Sequence, residues 1–144
     1  MRFWDSSAIV PLLVEEPSSA AARAEFLRDP EVVVWWTTSI ECVSALARLE
    51  REELLSAAGL AEALGRLDEL SLAWHETQPI ERTRQIATRV LRMHPLRAAD
   101  AFQLAAAIVA TEERADSMSL VTLDDRLASA ADREGFDVVR PSIH

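Results

Sequence analysis

Residues 3–10 of the chain read FWDSSAIV, and they predict how the fold begins. The two aromatic residues belong to a short strand over residues 2–5 that ends at Asp5. Ser6 or Ser7 can cap the helix that follows, since a hydroxyl at that position accepts a hydrogen bond from a free helix N–H group. In open α/β sheets, ligands bind beyond the carboxyl ends of the strands. Asp5 is therefore expected at the edge of the sheet where chemistry takes place.

Length and composition indicate an ordinary globular protein. The chain has 144 residues, of which 49% are hydrophobic, and this favours a single domain over residues 1–144 with one substantial core. No apolar run approaches the roughly 20 residues of a membrane-spanning helix, and the first residues lead straight into a strand instead of a signal peptide. We therefore expect a cytoplasmic protein that does not associate with membranes.

The single cysteine, Cys42, excludes an internal disulfide and a thiolate metal cage. It is expected to be a small core residue of a helix.

The formal net charge of −9 argues against binding to nucleic acid through the overall field of the protein. That argument does not extend to a local site. Carboxylates that converge on divalent cations bring in positive charge, and the sign of the field is then reversed in one cleft. An acidic protein can therefore still act on phosphate groups.

Strand and helix patterns alternate along the chain. The predicted strands cover residues 2–5, 32–35, 72–76, 120–122 and 136–139. The predicted helices cover residues 8–16, 18–28, a segment after the hydroxyl run 37–39, then 56–70, 80–93, 97–110 and 126–134. The strand at 32–35 is continuously apolar, which is typical of a sheet covered on both faces. This order predicts an α/β fold with a mostly parallel sheet and right-handed crossovers.

Two helices carry apolar stripes that predict their buried faces. The stripe of the third helix is Ile40, Val43, Leu46 and Ala47, and that of the 80–93 helix is Ile86, Val90 and Met93. The arginines of the 80–93 helix are expected to form a solvated face.

Asp100 lies within the helix 97–110, which is apolar on nearly all sides. A carboxylate in such surroundings costs several kcal/mol unless it is compensated or protonated. Two interpretations follow. Asp100 forms an ion pair with Arg97, three residues earlier on the same face, or it belongs to a functional site.

Three other acids favour the functional site. Asp5 ends the first strand, Glu41 begins the helix after the second strand, and Asp124 follows the fourth strand. All are expected with Asp100 at one edge of the sheet. Four carboxylates cannot gather without cations, and oxygen ligands of this kind select Mg²⁺ or Mn²⁺. Two such ions can activate a water and stabilise the leaving oxygen in phosphodiester cleavage.

Four segments also carry a family resemblance. They are WDSSAIV at 4–10, TTSIECVSALAR at 37–48, LRAADAFQLAAA at 96–107 and LVTLDDRLASAADREGFDVV at 120–139. In order and approximate spacing, this set resembles the PIN domain, in particular the VapC toxins of bacterial type II toxin–antitoxin pairs.

The resemblance implies a three-layer α/β/α sandwich and a metal-dependent endoribonuclease that cleaves single-stranded RNA. By position, the catalytic and metal-binding quartet would be Asp5, Glu41, Asp100 and Asp124, with Mg²⁺ or Mn²⁺ as cofactor. Ser6 and Thr122 would match hydroxyl positions near the quartet, and Asp125 would be a substitute or auxiliary for Asp124. Arg97 is a further auxiliary candidate that could touch RNA phosphate, but the ion pair with Asp100 is the expected role. Members of this family form homodimers and are silenced by a VapB-type antitoxin, so these are the implied partners besides RNA.

Other classes fit less well. A phosphoacceptor receiver domain would need a lysine after its last strand, and the chain has no lysine. A haloacid-dehalogenase-type phosphatase would need an aspartate at the position of Ser7. A catalytically silent PIN-fold interaction module stays open as the alternative function. Trp35 and Trp36 are expected to pack in the core or in a dimer interface rather than to stack on bases.

Overall fold

The computed structural model describes residues 1–142. Its five strands form one sheet in the order β3-β2-β1-β4-β5, and all four pairings are parallel. The strands are β1 (Arg2–Trp4), β2 (Val32–Trp35), β3 (His75–Thr77), β4 (Ser119–Val121) and β5 (Asp137–Val139). The predicted parallel α/β sheet is confirmed. The single domain predicted over residues 1–144 stays a prediction, since Ile143 and His144 lie outside the described residues.

Helices cover both faces of this sheet. They are α1 (Ser6–Leu13), α2 (Ser19–Arg28), α3 (Thr38–Arg51), α4 (Ala57–Ala73), α5 (Glu81–Met93), α6 (Ala98–Ala110) and α7 (Asp125–Arg133), with a 3₁₀ turn at Ala115–Ser117. The first four helices pack with one core cluster, and the last three pack with the other. The result is the expected three-layer sandwich. Within residues 1–142, no helix is both long and apolar enough to span a bilayer.

Successive strand residues point to opposite faces and supply the two cores. Phe3 and Leu120 are buried in the α5–α7 layer, while Trp4 and Val121 are buried in the α1–α4 layer. This alternation is the ordinary period of a strand. Because both faces are covered, the strands read as unbroken apolar runs in the sequence.

The strand order creates a switch point between β1 and β4. The chain adds β2 and β3 on one side of β1 and then returns to add β4 and β5 on the other side. The connecting helices change from one face of the sheet to the other at the same place. Ligands of open α/β sheets bind in the crevice at such a point. Asp5 follows β1, and the segment 122–124 follows β4, so both lie at this crevice.

Three local predictions were wrong. The helix α4 continues to Ala73, so the strand predicted at 72–76 begins only at His75. The cap of α1 is Asp5 itself, whose carboxylate accepts from the Ser7 amide, rather than Ser6 or Ser7. Met93, expected to face inward, is exposed.

The stripe predicted for α3 was partly wrong. Leu46 is buried as expected, but Cys42 and Thr38 share the inward face with it, and Ile40 is 68% exposed. Val43 is exposed as well. The inward face thus carries small residues near the start of the helix, which lets α3 approach α1 and the sheet closely.

Replacement of Leu120 by alanine tests the packing of the central strand β4. The Leu120 side chain is fully buried, and the loss of its methyl groups should lower the free energy of unfolding by about 2–5 kcal/mol. Urea unfolding monitored by circular dichroism measures this change. Leu72→Ala is the matched control, because Leu72 is 88% exposed and its truncation should change stability by less than about 0.5 kcal/mol. Equal effects of the two substitutions would contradict the core described above.

Candidate functional site

Each of the four predicted acids lies at the N-terminus of a different helix. Asp5 and Asp124 are the N-caps of α1 and α7, and Glu41 and Asp100 are in the first turns of α3 and α6. A helix N-terminus carries partial positive charge, which stabilises a carboxylate there. The four helix ends open onto the crevice at the switch point. The fold thus provides a local reason for acids to gather at this edge.

Asp5 is the most deeply buried of the four, with 3% of its surface exposed. Its Oδ2 atom accepts hydrogen bonds from the hydroxyls of Ser7 and Thr122, the latter at 2.9 Å. The same hydroxyls accept from backbone amides of the loop after β4, from Leu123 to Ser7 and from Asp124 to Thr122. Burial raises the pKa of Asp5, although the two hydroxyls oppose that shift.

Glu41 is held from three directions. Its Oε2 atom accepts from the Thr37 hydroxyl at 3.0 Å and from the Gln103 amide at 2.9 Å. Its Oε1 atom accepts from the Ser6 hydroxyl at 3.3 Å. Ser6 also lies 3.5 Å from Oδ1 of Asp5 and so stands between the two acids. Burial, opposed by these hydrogen bonds, raises the pKa of Glu41.

Asp100 is partly buried and faces two other acids. Burial and the negative charges of Asp124 and Asp5 raise its pKa to about 6, against smaller opposing effects of Arg97 and Arg126. The ion pair considered for Arg97 and Asp100 is not formed, because Arg97 makes no ion pair in the described part of the chain. Asp100 is thus left without a bonded cation.

Asp124 and Asp125 have different roles despite their adjacency. The Oδ1 atom of Asp124 caps α7 by accepting from the Leu127 amide at 2.8 Å, and Asp124 lines the crevice. The Asp125 side chain is exposed and forms an ion pair with Arg140. The structure therefore brings Asp124 to the site with the other three acids and leaves Asp125 outside it.

The crevice is a cleft of about 520 Å³ that carries both signs of charge. Three of the acids, Glu41, Asp100 and Asp124, line it. So do three arginines that are exposed and have no ion pair within residues 1–142: Arg48, Arg97 and Arg126. Most of the other arginines pair with nearby acids, for example Arg89 with Glu134, although Arg51, Arg92, Arg114 and Arg133 make no ion pair within residues 1–142. The arginines of the cleft stay available for an anionic ligand.

The side chains as they stand do not form a finished metal site. Among the described residues, no three His, Cys, Asp or Glu side chains are close enough together to hold one ion. The chemistry of the donors nevertheless fits a hard divalent cation, since all are oxygens and several are carboxylates. The raised pKa values of Asp5, Glu41 and Asp100 have mutual repulsion among their causes, and a cation would relieve it. The donor set thus suits a hard divalent cation, although the side chains do not yet converge on one position.

Several site residues were missed by the sequence analysis. Ser7 and Gln103 hold Asp5 and Glu41 through the hydrogen bonds described above, and Arg48 and Arg126 line the cleft. Gln103 did leave a signal, because it is a lone amide in the apolar run 101–110. A fully buried amide needs partners, and the Nε2 atom of Gln103 donates to Glu41 and, at 3.1 Å, to Thr38, while its Oε1 atom has no partner within residues 1–142.

Comparison with solved structures supports the fold. A toxin–antitoxin complex from Klebsiella pneumoniae is similar with a TM-score of 0.69 and 13% identity over all of both chains. The FitAcB crystal structure from Neisseria gonorrhoeae has a TM-score of 0.67 and 19% identity, covering 98% of each chain. A structure of FitAB bound to an IR36 DNA fragment gives the same score and identity, over 98% of this chain and 95% of that one.

The fold and the acidic crevice define the class as an α/β/α sandwich with a carboxylate-rich site at its switch point. The sequence matches the PIN domain family over residues 2–133. The chain therefore belongs to the PIN domain family, as its four segments predicted. No curated protein matches it.

Asp100→Asn should stabilise the protein at neutral pH. The pKa of Asp100 is raised from 3.8 to about 6 on folding. Between these values the folded state binds more protons than the unfolded state, so stability falls as the pH rises through this window. Asp100→Asn has no carboxyl group to ionise at this position, so its stability does not fall in this way. We expect it to be more stable than the wild type by about 1 kcal/mol at pH 7, a figure discounted for the solvent exposure of the group.

Urea unfolding at pH 7 and at pH 3.5 tests this expectation, and the advantage should largely vanish at the lower pH. Asp68→Asn is the matched control, because Asp68 is exposed on α4. A gain that is the same at both pH values, or the same in the control, would show that the charge of Asp100 is not its cause.

Proposed function

We propose that this protein is a metal-dependent endoribonuclease that cleaves single-stranded RNA, and that it is the toxin of a VapBC-type toxin–antitoxin pair. The observation that carries this proposal is the convergence of four carboxylates at four helix N-termini in a PIN fold. Nothing neutralises these acids, since none of them forms an ion pair within residues 1–142. Such a site suits a divalent cation.

The four acids would have different roles at the site. Asp5, Asp100 and Asp124 would hold Mg²⁺ or Mn²⁺, and Glu41 would complete the set of ligands or orient the attacking water. The bound ion would supply Lewis-acid stabilisation of charge on the phosphate. Ser7 and Thr122 keep one oxygen of Asp5 fixed through their hydroxyls. Only Oδ1, which Ser6 approaches at 3.5 Å, is then left for a ligand.

The arginines of the cleft would bind the RNA backbone on either side of the acids. Arg48 comes from α3, Arg97 precedes α6, and Arg126 is in the first turn of α7, so they reach the cleft from three directions. A guanidinium group without a carboxylate partner is suited to bidentate contacts with phosphate. This local positive charge lets a protein of net charge −9 bind RNA.

The partners follow from the same proposal. One similar structure is a toxin–antitoxin complex, so we propose that a VapB-type antitoxin covers this cleft. A basic side chain of that antitoxin would meet the unpaired acids. We further propose that the protein is a cytoplasmic homodimer.

Cleavage of a mixed RNA pool tests the activity and the site together. The wild-type protein should cut RNA with Mg²⁺ or Mn²⁺ and lose this activity in EDTA, because the acids alone cannot stabilise the leaving oxygen. Asp100→Asn and Asp5→Asn should each lower the rate at least about a hundredfold, while the folds stay intact by circular dichroism. The matched control Asp68→Asn should keep full activity.

Full activity of the Asp5→Asn variant would refute the assignment of the site. If neither the wild type nor the variants cut RNA, calorimetric binding of Mn²⁺ decides between the functions. Binding that is lost in Asp100→Asn supports the metal site, whereas no binding by any form makes the catalytically silent interaction module the better account.

Arg97→Gln should weaken binding of single-stranded RNA and lower its dependence on salt. Each phosphate contact contributes about 0.7 to the slope of log K against log salt for a single strand. We expect the slope to fall by about this amount, measured by fluorescence anisotropy in the Asp100→Asn background so that the RNA is not cut. Arg92→Gln is the control, because Arg92 is an exposed arginine of α5 that does not line the cleft. An equal fall in both variants would indicate a general charge effect.

A further inference from the structure

A second pocket adjoins the acidic cleft. Its volume is about 600 Å³, and it shares Glu41 and Ala99 with the cleft. Much of its remaining lining is aromatic or apolar: Trp35, Trp36, Ile80 and Phe102. We name it the tryptophan pocket. A ligand bound across the acids can therefore extend one of its groups into an apolar space beside Glu41.

The two tryptophans of this pocket differ in how far their side chains are buried. Trp35 is buried and stacks in parallel on Phe102, with ring centroids 5.6 Å apart and an angle of 3°. Trp36 is 50% exposed, so of the two expected places, the core and a dimer interface, the core does not apply to it. Its backbone is fixed, because its amide donates to the Thr77 carbonyl at the end of β3. An indole that is held at its backbone and open on its surface is suited to stack on a planar ligand.

Thr83 adds an unused polar group to the pocket wall. It is 1% exposed, and its hydroxyl has no hydrogen-bond partner in the described part of the chain. A buried hydroxyl without a partner is unfavourable and uncommon. A hydroxyl both donates and accepts, and threonine in a helix has two accessible χ1 rotamers. Thr83 therefore leaves one hydrogen-bonding group without a partner in the wall of this pocket.

A ligand with a planar face, polar edges and an attached phosphodiester matches these features. We propose that the tryptophan pocket binds the nucleobase next to the scissile phosphate, stacked on Trp36. This inference rests on the proposed ribonuclease function and adds to it a site for base recognition. Stacking on an aromatic side chain tolerates every base, and the Thr83 hydroxyl would discriminate among their edges.

Binding of two probes tests the proposal. One is a single-stranded RNA of ten nucleotides, and the other is an abasic ribose-phosphate strand of the same length and charge. Both are measured with Mg²⁺ in the Asp100→Asn background. Trp36→Ala should weaken binding of the RNA about tenfold and leave binding of the abasic strand unchanged. Trp36→Phe should restore most of the loss, since a phenyl ring also stacks.

Two controls separate base recognition from other causes. Leu72→Ala removes an exposed apolar side chain on α4, outside the pocket, and should change neither affinity. Arg97→Gln should weaken both probes, because it acts on phosphate. Sedimentation velocity of Trp36→Ala should give the same oligomeric state as the parent protein.

The outcomes distinguish failure of this inference from failure of the ribonuclease proposal. If the parent binds RNA but Trp36→Ala binds it equally well, or loses both probes alike, the base pocket is refuted and the ribonuclease proposal stands. A change of oligomeric state in Trp36→Ala would also refute the pocket, since Trp36 then belongs to an interface between two copies. If the Asp100→Asn parent binds neither probe and the wild-type protein cuts no RNA, the ribonuclease proposal itself fails.

Discussion

The burial of the Asp5 carboxylate is the constraint on which the site depends. A charge that is almost fully removed from water costs several kcal/mol unless hydrogen bonds compensate it. The compensation comes from the N-terminus of α1 and from two hydroxyls, Ser7 and Thr122. Because each hydroxyl also accepts from the loop after β4, the same bonds that satisfy Asp5 join the ends of β1 and β4. The crevice at the switch point is thereby fixed in shape.

The charged residues of the cleft are arranged differently from those on the rest of the molecule. The protein carries a net charge of −9, and its surface arginines mostly neutralise nearby acids. At the cleft, neither the acids nor the arginines are neutralised in this way. Three acids, Glu41, Asp100 and Asp124, and the three arginines line one space and yet form no ion pairs with one another in the part of the chain described. Each of these arginines comes from the same helix, or its cap, as one of the acids and still makes no ion pair with it within residues 1–142, so both signs of charge are left for a ligand.

The sheet and the four acids could be predicted because their signals are local. A β-branched run such as 32–35 has one reasonable interpretation, and an acid after a strand or at a helix start falls at one edge of a parallel sheet. The face of α3 could not be predicted, since Ile40 and Cys42 are both acceptable core residues. Its orientation depends on contacts that are distant in sequence, with α1, with α4 and with Gln103 of α6, which donates to Glu41 and Thr38. The absence of an ion pair between Arg97 and Asp100 could not be predicted from the sequence either, because it depends on the side-chain conformations at the start of α6.

Gln103 also helps to hold the residue that separates the acidic cleft from the tryptophan pocket, Glu41. Glu41 lines both the acidic cleft and the tryptophan pocket, so its position decides whether they are one space or two. It is held on the cleft side by Ser6 and on the pocket side by Thr37, which directly follows Trp36. Gln103 anchors it from below through a buried amide. Glu41 cannot move without exchanging its hydrogen bonds with Ser6, Thr37 and Gln103, so these three residues fix the wall that the cleft and the tryptophan pocket share.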